Sequence, residues 1–190
     1  LVLITPDAQR TMCTNLGAAS NLTPKDIDKD IIQAAKVVYM EGYLFDPPDA
    51  QDAFVEAADL AHDAGQKVSI TLSDPFCVDR HRHAFQMLVA DHTDILFGNE
   101  EEIKSLYQVD DFDAALQHVR GHCDIACLTR SSKGSVILSG DEVHIITAEG
   151  ILVRANLPED FAPGARAIIE IESSKLIRGE AKPVENDLPQ

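Results

Sequence analysis

Four short apolar segments recur along the chain: Val37-Val38-Tyr39-Met40, Lys67-Val68-Ser69-Ile70-Thr71-Leu72, Asp94-Ile95-Leu96-Phe97 and Ile125-Ala126-Cys127-Leu128. Their starts lie roughly thirty residues apart, the length of a strand plus a crossover helix. The shorter ones lack alternating polar positions, a mark of strands in parallel sheets. The stretches between them have helical spacing. Thr23-Pro24-Lys25-Asp26 offers an N-cap, a proline at the first helical position and an acid at N3, followed by Ile27, Ile31, Ile32 and Ala35. Ala53, Ala57, Leu60, Ala61 and Ala64 share one helical face, and Gly65 supplies the stop. Phe85, Leu88 and Val89 mark a third helix, Ile103 and Leu106 a fourth, and Ala115, Leu116 and Val119 a fifth. This alternation predicts an α/β fold, a parallel sheet covered by helices.

The flanks break the rhythm. Residues 1–16 read as two short strands around Pro6-Asp7, and residues 135–146 as a hairpin turning at Ser139-Gly140-Asp141-Glu142. Beyond Gly150, residues 151–155 and 167–171 read as strands around a loop with Pro163 and Gly164, and the last dozen residues as a loose terminus.

A length of 190 residues suits one domain, alone or with a short appendage, and 45% hydrophobic content is too high for a disordered chain. No apolar run approaches the ~20 residues of a membrane span. With 32 acidic against 16 basic side chains, a formal charge of −16 argues against nucleic acid or an anionic membrane as the main partner. A small phosphorylated ligand stays open, because local N–H groups and a cation suffice to bind phosphate. Cys13, Cys77, Cys123 and Cys127 are too few and too dispersed for a disulfide scaffold. Without an apolar signal segment, the expected compartment is the cytoplasm.

In open α/β sheets, ligands bind beyond the carboxyl ends of the strands. There the sequence places Glu41-Gly42, Ser73-Asp74, Gly98-Asn99-Glu100-Glu101-Glu102 and Thr129-Arg130-Ser131-Ser132-Lys133-Gly134. Asn99 to Glu102 opens a helix directly after an apolar strand. As capping, an amide N-cap and first-turn acids need no ligand. As a site, Asn99 and Glu102 share one face and would hold a hydrated Mg²⁺ facing nucleotide phosphates. Thr129 to Gly134 is either a plain turn into the hairpin or a phosphate contact with Thr129 and Ser131 hydroxyls and backbone N–H groups; it is not a Walker A loop. His118, His122, Cys123 and Cys127 lack metal-site spacing and read as structural or surface residues. His81-Arg82-His83 reads as a solvated helix start, and no G-x-S-x-G occurs.

An ordered set of segments carries a resemblance: Leu3-Ile4-Thr5-Pro6-Asp7-Ala8-Gln9-Arg10-Thr11-Met12, Glu41-Gly42-Tyr43-Leu44, Leu72-Ser73-Asp74-Pro75-Phe76-Cys77-Val78, Asp94 through Glu102 and Leu128 through Gly134. Over about residues 1–147 the chain resembles the ribokinase-like (PfkB) carbohydrate and nucleoside kinases, particularly adenosine-kinase-like sugar kinases of bacteria. The resemblance implies a three-layer α/β/α fold with a mainly parallel sheet and part of a β lid. It implies transfer of the ATP γ-phosphoryl group to a hydroxyl of a sugar or nucleoside. Asn99 and Glu102 match the N-x-x-E motif that organises Mg²⁺ and phosphate, the metal being held through water. Thr129, Ser131 and Gly134 match the turn near the nucleotide, and Arg10 and Met12 the substrate-proximal lid. A homodimer through the lid is a further implication.

The family's amino-terminal strand, its substrate glycine pair and its G-A-G-D signature are not found. Where that signature belongs stand Val153 to Asp160 and Pro163-Gly164-Ala165-Arg166, so no aspartate base is assigned. The division expected is a partial kinase core over 1–150, with lid-proximal strands in 1–20, and an unmatched segment over 151–190. The leading expectation is thus an incomplete or diverged kinase, inactive as this chain alone. The rivals are a non-catalytic remnant that binds a ligand or partner, and an unrelated flavodoxin-like domain.

Overall fold

Strands and helices alternate in the computed structural model, which describes residues 1–7, 10–147 and 152–156. β1 (Val2–Ile4) and β2 (Arg10–Met12) form a separate antiparallel two-stranded ribbon around Pro6-Asp7. The main body runs α1 (Lys29–Ala34), β3 (Val37–Glu41), α2 (Pro48–Asp63), β4 (Lys67–Thr71), α3 (Pro75–Arg80), α4 (Arg82–His92), β5 (Ile95–Asn99), α5 (Glu100–Tyr107), α6 (Phe112–Val119) and β6 (Ile125–Thr129). It continues as β7 (Ser135–Ser139), β8 (Glu142–Ile146) and β9 (Leu152–Asn156). These strands make one seven-stranded sheet in chain order, parallel from β3 to β6 and antiparallel from β6 to β9. The order is not that of a flavodoxin-like sheet, whose first two strands exchange places.

Chain order has a geometric consequence. Right-handed crossovers that always step in the same direction put every helix on the same side of the sheet. Burial follows: Val38, Met40, Val68, Ile70, Leu96, Ala126 and Leu128 face the helices at 9% exposure or less, while Val37, Tyr39 and Phe97 on the other face are 47%, 59% and 40% exposed. Among the described residues, then, the three layers implied by the resemblance comprise the sheet and one helical layer. Ser69, flanked in register by Tyr39 and Ile95, lies on the second face and is buried with no hydrogen-bond partner for its hydroxyl.

The helical layer is seated by small and aromatic side chains. α2 buries Ala50, Ala53, Phe54, Ala57, Ala58 and Ala61, whose short side chains let the helix approach the sheet closely. Phe45 fills the space at its amino end, with ring centroids 5.4 Å from Phe54 and 4.4 Å from Phe85. Truncating such a buried ring typically costs about 3–5 kcal/mol.

Three local expectations need correction. The single helix expected from Thr23 to Ala35 is divided into a 3₁₀ turn, Pro24–Asp26, and α1. Thr23 and Asp26 do form the capping box, but Asp28 accepts from the amides of Asp30 and Ile31 at 3.0 and 3.2 Å and starts a new helix. The third helix does start at His81-Arg82 as α4, preceded by a short further helix, α3, that Asp74 caps. His81 is not solvated there but sits 2.8 Å from Asp46, and Arg82 bonds Asp79 and, at 2.9 Å, the Ser105 carbonyl. The expected strand over 151–155 is β9, displaced by one residue; that over 167–171 lies outside the described residues. Among the described residues no helix is long and apolar enough to cross a membrane.

Candidate active site

The parallel register brings chemistry to one edge. Thr71 pairs with Phe97 and Phe97 with Cys127, while Asn99 pairs with Thr129. These residues, with Ser73, Gly98 and Glu102, line a cavity of about 230 Å³ at the carboxyl ends of β4, β5 and β6. Its polar wall offers the Thr71, Ser73 and Thr129 hydroxyls, the Asn99 amide and the Glu102 carboxylate. Phe97 and Cys127 supply an apolar floor.

Asn99 ends β5 and caps α5. Its side-chain oxygen accepts from the Glu102 amide at 2.9 Å; in return Glu102 accepts from the Asn99 backbone N–H at 2.9 Å and from Asn99 Nδ2 at 2.6 Å. The capping reading and the site reading therefore fall on the same two side chains. Glu102 is 4% exposed. Burial pushes its carboxyl above the ordinary range, the Asn99 N–H opposes this, and the Asp74 charge adds to it. Glu100, two residues earlier, is held low by its hydrogen bond from Arg130 Nε at 3.1 Å, with Lys133 Nζ at 3.3 Å.

Thr129 leads into a turn closed by its own backbone: Arg130 N–H donates to the Gly134 carbonyl at 2.7 Å and Gly134 N–H to the Ser131 carbonyl at 3.0 Å. Gly134 has φ +92°, and a β-carbon there would lie 1.9 Å from the Ile146 carbonyl oxygen, so only glycine fits. Ser131 adopts φ +52° and Ser73 φ +69°, two of the three non-glycine residues with positive φ among those described. Strained backbone thus flanks the cavity at the ends of two strands. The Arg130 guanidinium packs 4.0 Å over the Phe112 ring while bonded to Glu100, which anchors the turn to α5 and α6.

Of the residues singled out from sequence, Asn99, Glu102 and Thr129 meet at the cavity, and Ser131 and Gly134 lie in the turn that leaves it. Arg10 and Met12 belong to the separate ribbon, and Met12, 52% exposed, is not among the residues that line this cavity. Thr71, Ser73, Phe97, Gly98 and Cys127 were not singled out as lining residues. Ser73 and Gly98 carried a signal, a polar residue and a glycine at the carboxyl ends of strands. The others are set by inter-strand register, which no local pattern encodes.

No three His, Cys, Asp or Glu side chains among the described residues converge into a metal cage. One buried carboxylate beside an amide does fit a divalent ion that keeps most of its water and takes its remaining ligands from phosphates, the usual habit of Mg²⁺.

Residues 1–151 match the profile described as pfkB family carbohydrate kinase. The chain is 29% identical over 109 residues to adenosine kinase of Schizosaccharomyces pombe, which covers 55% of this chain and 31% of that protein. Among solved structures it is similar to a probable sugar kinase from Rhizobium etli, with 46% identity, TM-score 0.73 and coverage of 77% of this chain and 45% of that one. It is also similar to adenosine kinase from Sinorhizobium meliloti, with 41% identity, TM-score 0.71 and coverage of 85% and 47%. The chain spans about a third of that curated relative and just under half of those solved chains. Sequence, strand order and the motif-bearing edge of the sheet agree, and the chain belongs to the pfkB family of carbohydrate kinases.

Proposed function

We propose that the cavity binds the phosphates of ATP, and that the protein to which this fold belongs transfers the γ-phosphoryl group to a hydroxyl of a sugar or nucleoside. The observation that carries the reading is the meeting of the Asn99/Glu102 box and the Thr129–Gly134 turn at one cavity. Thr129 and Ser131 would donate hydroxyl hydrogen bonds to phosphate, and Gly134 keeps that turn tight. Asn99 and Glu102 would hold Mg²⁺ through water. When bound, the ion neutralises phosphate charge that would otherwise face Glu102 and Asp74. Capping fixes the Glu102 carboxylate before any ligand arrives, so little reorganisation is left to binding.

In this reading residues 1–150 are the kinase core and the ribbon in residues 1–20 is lid-proximal, with Arg10 and Met12 near the acceptor. Residues 151–190 are a separate segment whose first strand, β9, still pairs with the core sheet. The ribbon exposes Val2, Leu3, Ile4 and Met12, each more than half accessible, and this apolar surface suits a homodimer through the lid. The partner is a small molecule and not nucleic acid or membrane, and the compartment is the cytoplasm. A non-catalytic nucleotide-binding role is the second reading, favoured by Val153 to Arg166 standing where the family's G-A-G-D belongs. Calorimetry with ATP, with and without Mg²⁺, on the chain and on Glu102→Gln tests the proposal. Binding that needs Mg²⁺ and weakens about tenfold in the variant supports it; equal affinity in every condition overturns it.

A further inference from the structure

One carboxylate fastens the segment after β3 to the segment after β4. Asp46 Oδ1 accepts from Arg80 Nε at 3.2 Å and Nη2 at 2.9 Å, and Oδ2 from Nη2 at 3.0 Å. His81 Nε2 lies 2.8 Å from Oδ1. On the far side of that ring, Nδ1 lies 3.3 Å from Gln51 Nε2, which also donates to the Phe45 carbonyl at 2.9 Å. Since the carbonyl bond fixes Gln51 as a donor here, Nδ1 accepts and Nε2 carries the proton. The imidazole bridges Gln51 and Asp46. Burial works against ionisation of Asp46, yet Arg80 and His81 outweigh it and hold its carboxyl low.

The two segments also touch without that carboxylate. Gly42 presses on the end of β4 so closely that a β-carbon would lie 2.5 Å from the Leu72 carbonyl oxygen. Cys77, whose thiol burial pushes up to about 11 and so keeps protonated, donates to the Gly42 carbonyl at 3.3 Å. Between these contacts the chain passes through Ser73 in its left-handed conformation, and Asp74 then accepts from Phe76 N at 2.7 Å and Cys77 N at 3.1 Å. Such backbone persists only where its surroundings over-determine it. The turn after β3 also carries Tyr43, 41% exposed and within reach of the charges of Asp74, Glu102 and Glu41.

The Arg80 and Asp46 side chains are 53% and 48% exposed, so their pairing adds little to global stability. Its effect is local. We propose that Asp46 is a positioning residue for the cavity: through Arg80 and His81 it locks the turn bearing Tyr43 against the turn bearing Ser73 and thereby holds one cavity wall in its binding shape. The inference rests on the nucleotide reading for the ligand, but not for the lock itself.

Hydrogen–deuterium exchange on the full chain tests the lock without ligand, comparing wild type, Asp46→Asn and the charge swap Asp46→Arg with Arg80→Asp. Exchange over residues 73–77 is expected to quicken about tenfold in Asp46→Asn while β5 and β6 stay protected, with partial recovery in the swap. Unchanged exchange overturns the proposal, as does faster exchange spread evenly over the chain, the mark of a merely structural residue. Calorimetry with Mg²⁺ and ATP adds the second arm. An affinity about tenfold weaker in Asp46→Asn, with an unfolding midpoint near wild type, supports the proposal; an unchanged affinity overturns it. A wild-type chain that binds no ATP overturns the nucleotide reading instead, and exchange then decides the lock alone.

Discussion

Gly98 stands directly beside Glu102: a β-carbon at Gly98 would lie 3.4 Å from Glu102 Oε2 and 3.2 Å from Leu72 Cδ1. The penultimate residue of β5 therefore leaves the space in which the first turn of α5 folds its carboxylate back over the strand. Gly98→Ala should displace Glu102 or Leu72 and destabilise the chain by about 1–3 kcal/mol, as overpacking does. Urea denaturation checks this, and a variant as stable as wild type would show that the neighbours yield freely.

Glu102 predicts a pH dependence with a definite sign. Burial raises its folded pKa above the ordinary value of about 4.3. The folded state thus holds this proton more tightly than the unfolded chain, so the stabilisation is full below the ordinary pKa and is lost as pH rises through the folded one. Unfolding midpoints measured from about pH 4 upward should show this decline in wild type relative to Glu102→Gln. A difference curve that rises with pH contradicts the assignment.

At the opposite end of the strands, Asp94 accepts from Lys67 Nζ at 2.8 Å and the Val68 amide at 2.7 Å, with His62 Nε2 at 2.9 Å. Burial opposes its ionisation, but these donors leave its pKa lowered. Here the sign reverses: stability is present above the ordinary carboxyl pKa and is lost as pH falls through the folded value. Asp94→Asn should cost about 1.5–3 kcal/mol at neutral pH, the range for hydrogen bonds to a charged group, and the penalty should shrink in acid. Denaturation at neutral and acidic pH distinguishes this from a pH-independent packing loss.

Turnover by this chain alone is expected to be absent. Phosphoryl transfer needs positioning, charge stabilisation and a group that takes the hydroxyl proton. Asn99 and Glu102 supply none of the backbone N–H groups that would stabilise the transferring group, and losing one such donor typically costs about 10²–10³ in rate. An ADP-release assay with ribose, fructose and adenosine measures it. Acceptor-dependent turnover near ~1 s⁻¹ would refute the expectation and make Asp160 the first residue to mutate.

The parallel strands were legible because each is a short apolar run followed by a polar turn, and their order in the sheet follows the spacing of those runs. Asn99 and Glu102 were legible for a local reason: a capping box is written within four residues. Ser73 was different. Its left-handed backbone lies between the local Asp74 cap and the packing of Gly42 on Leu72, the latter a contact between segments thirty residues apart. The division of the Thr23–Ala35 helix failed to show because Asp28 competes as a cap with Thr23, and periodicity alone does not rank two good caps. His81 read as solvated because its partner, Asp46, comes from another element.

The uninterrupted strand order from β3 to β9 also bears on how the sheet is assembled. Every strand after β3 pairs with the one made just before it, so no strand waits for a partner still to be synthesised and none must be inserted between two already joined. Loops close one at a time between strands adjacent in the chain, which limits the closure entropy of each step. Within the described sheet each pairing can therefore follow the previous one in chain order, with each helix roofing a strand pair before the next pair forms.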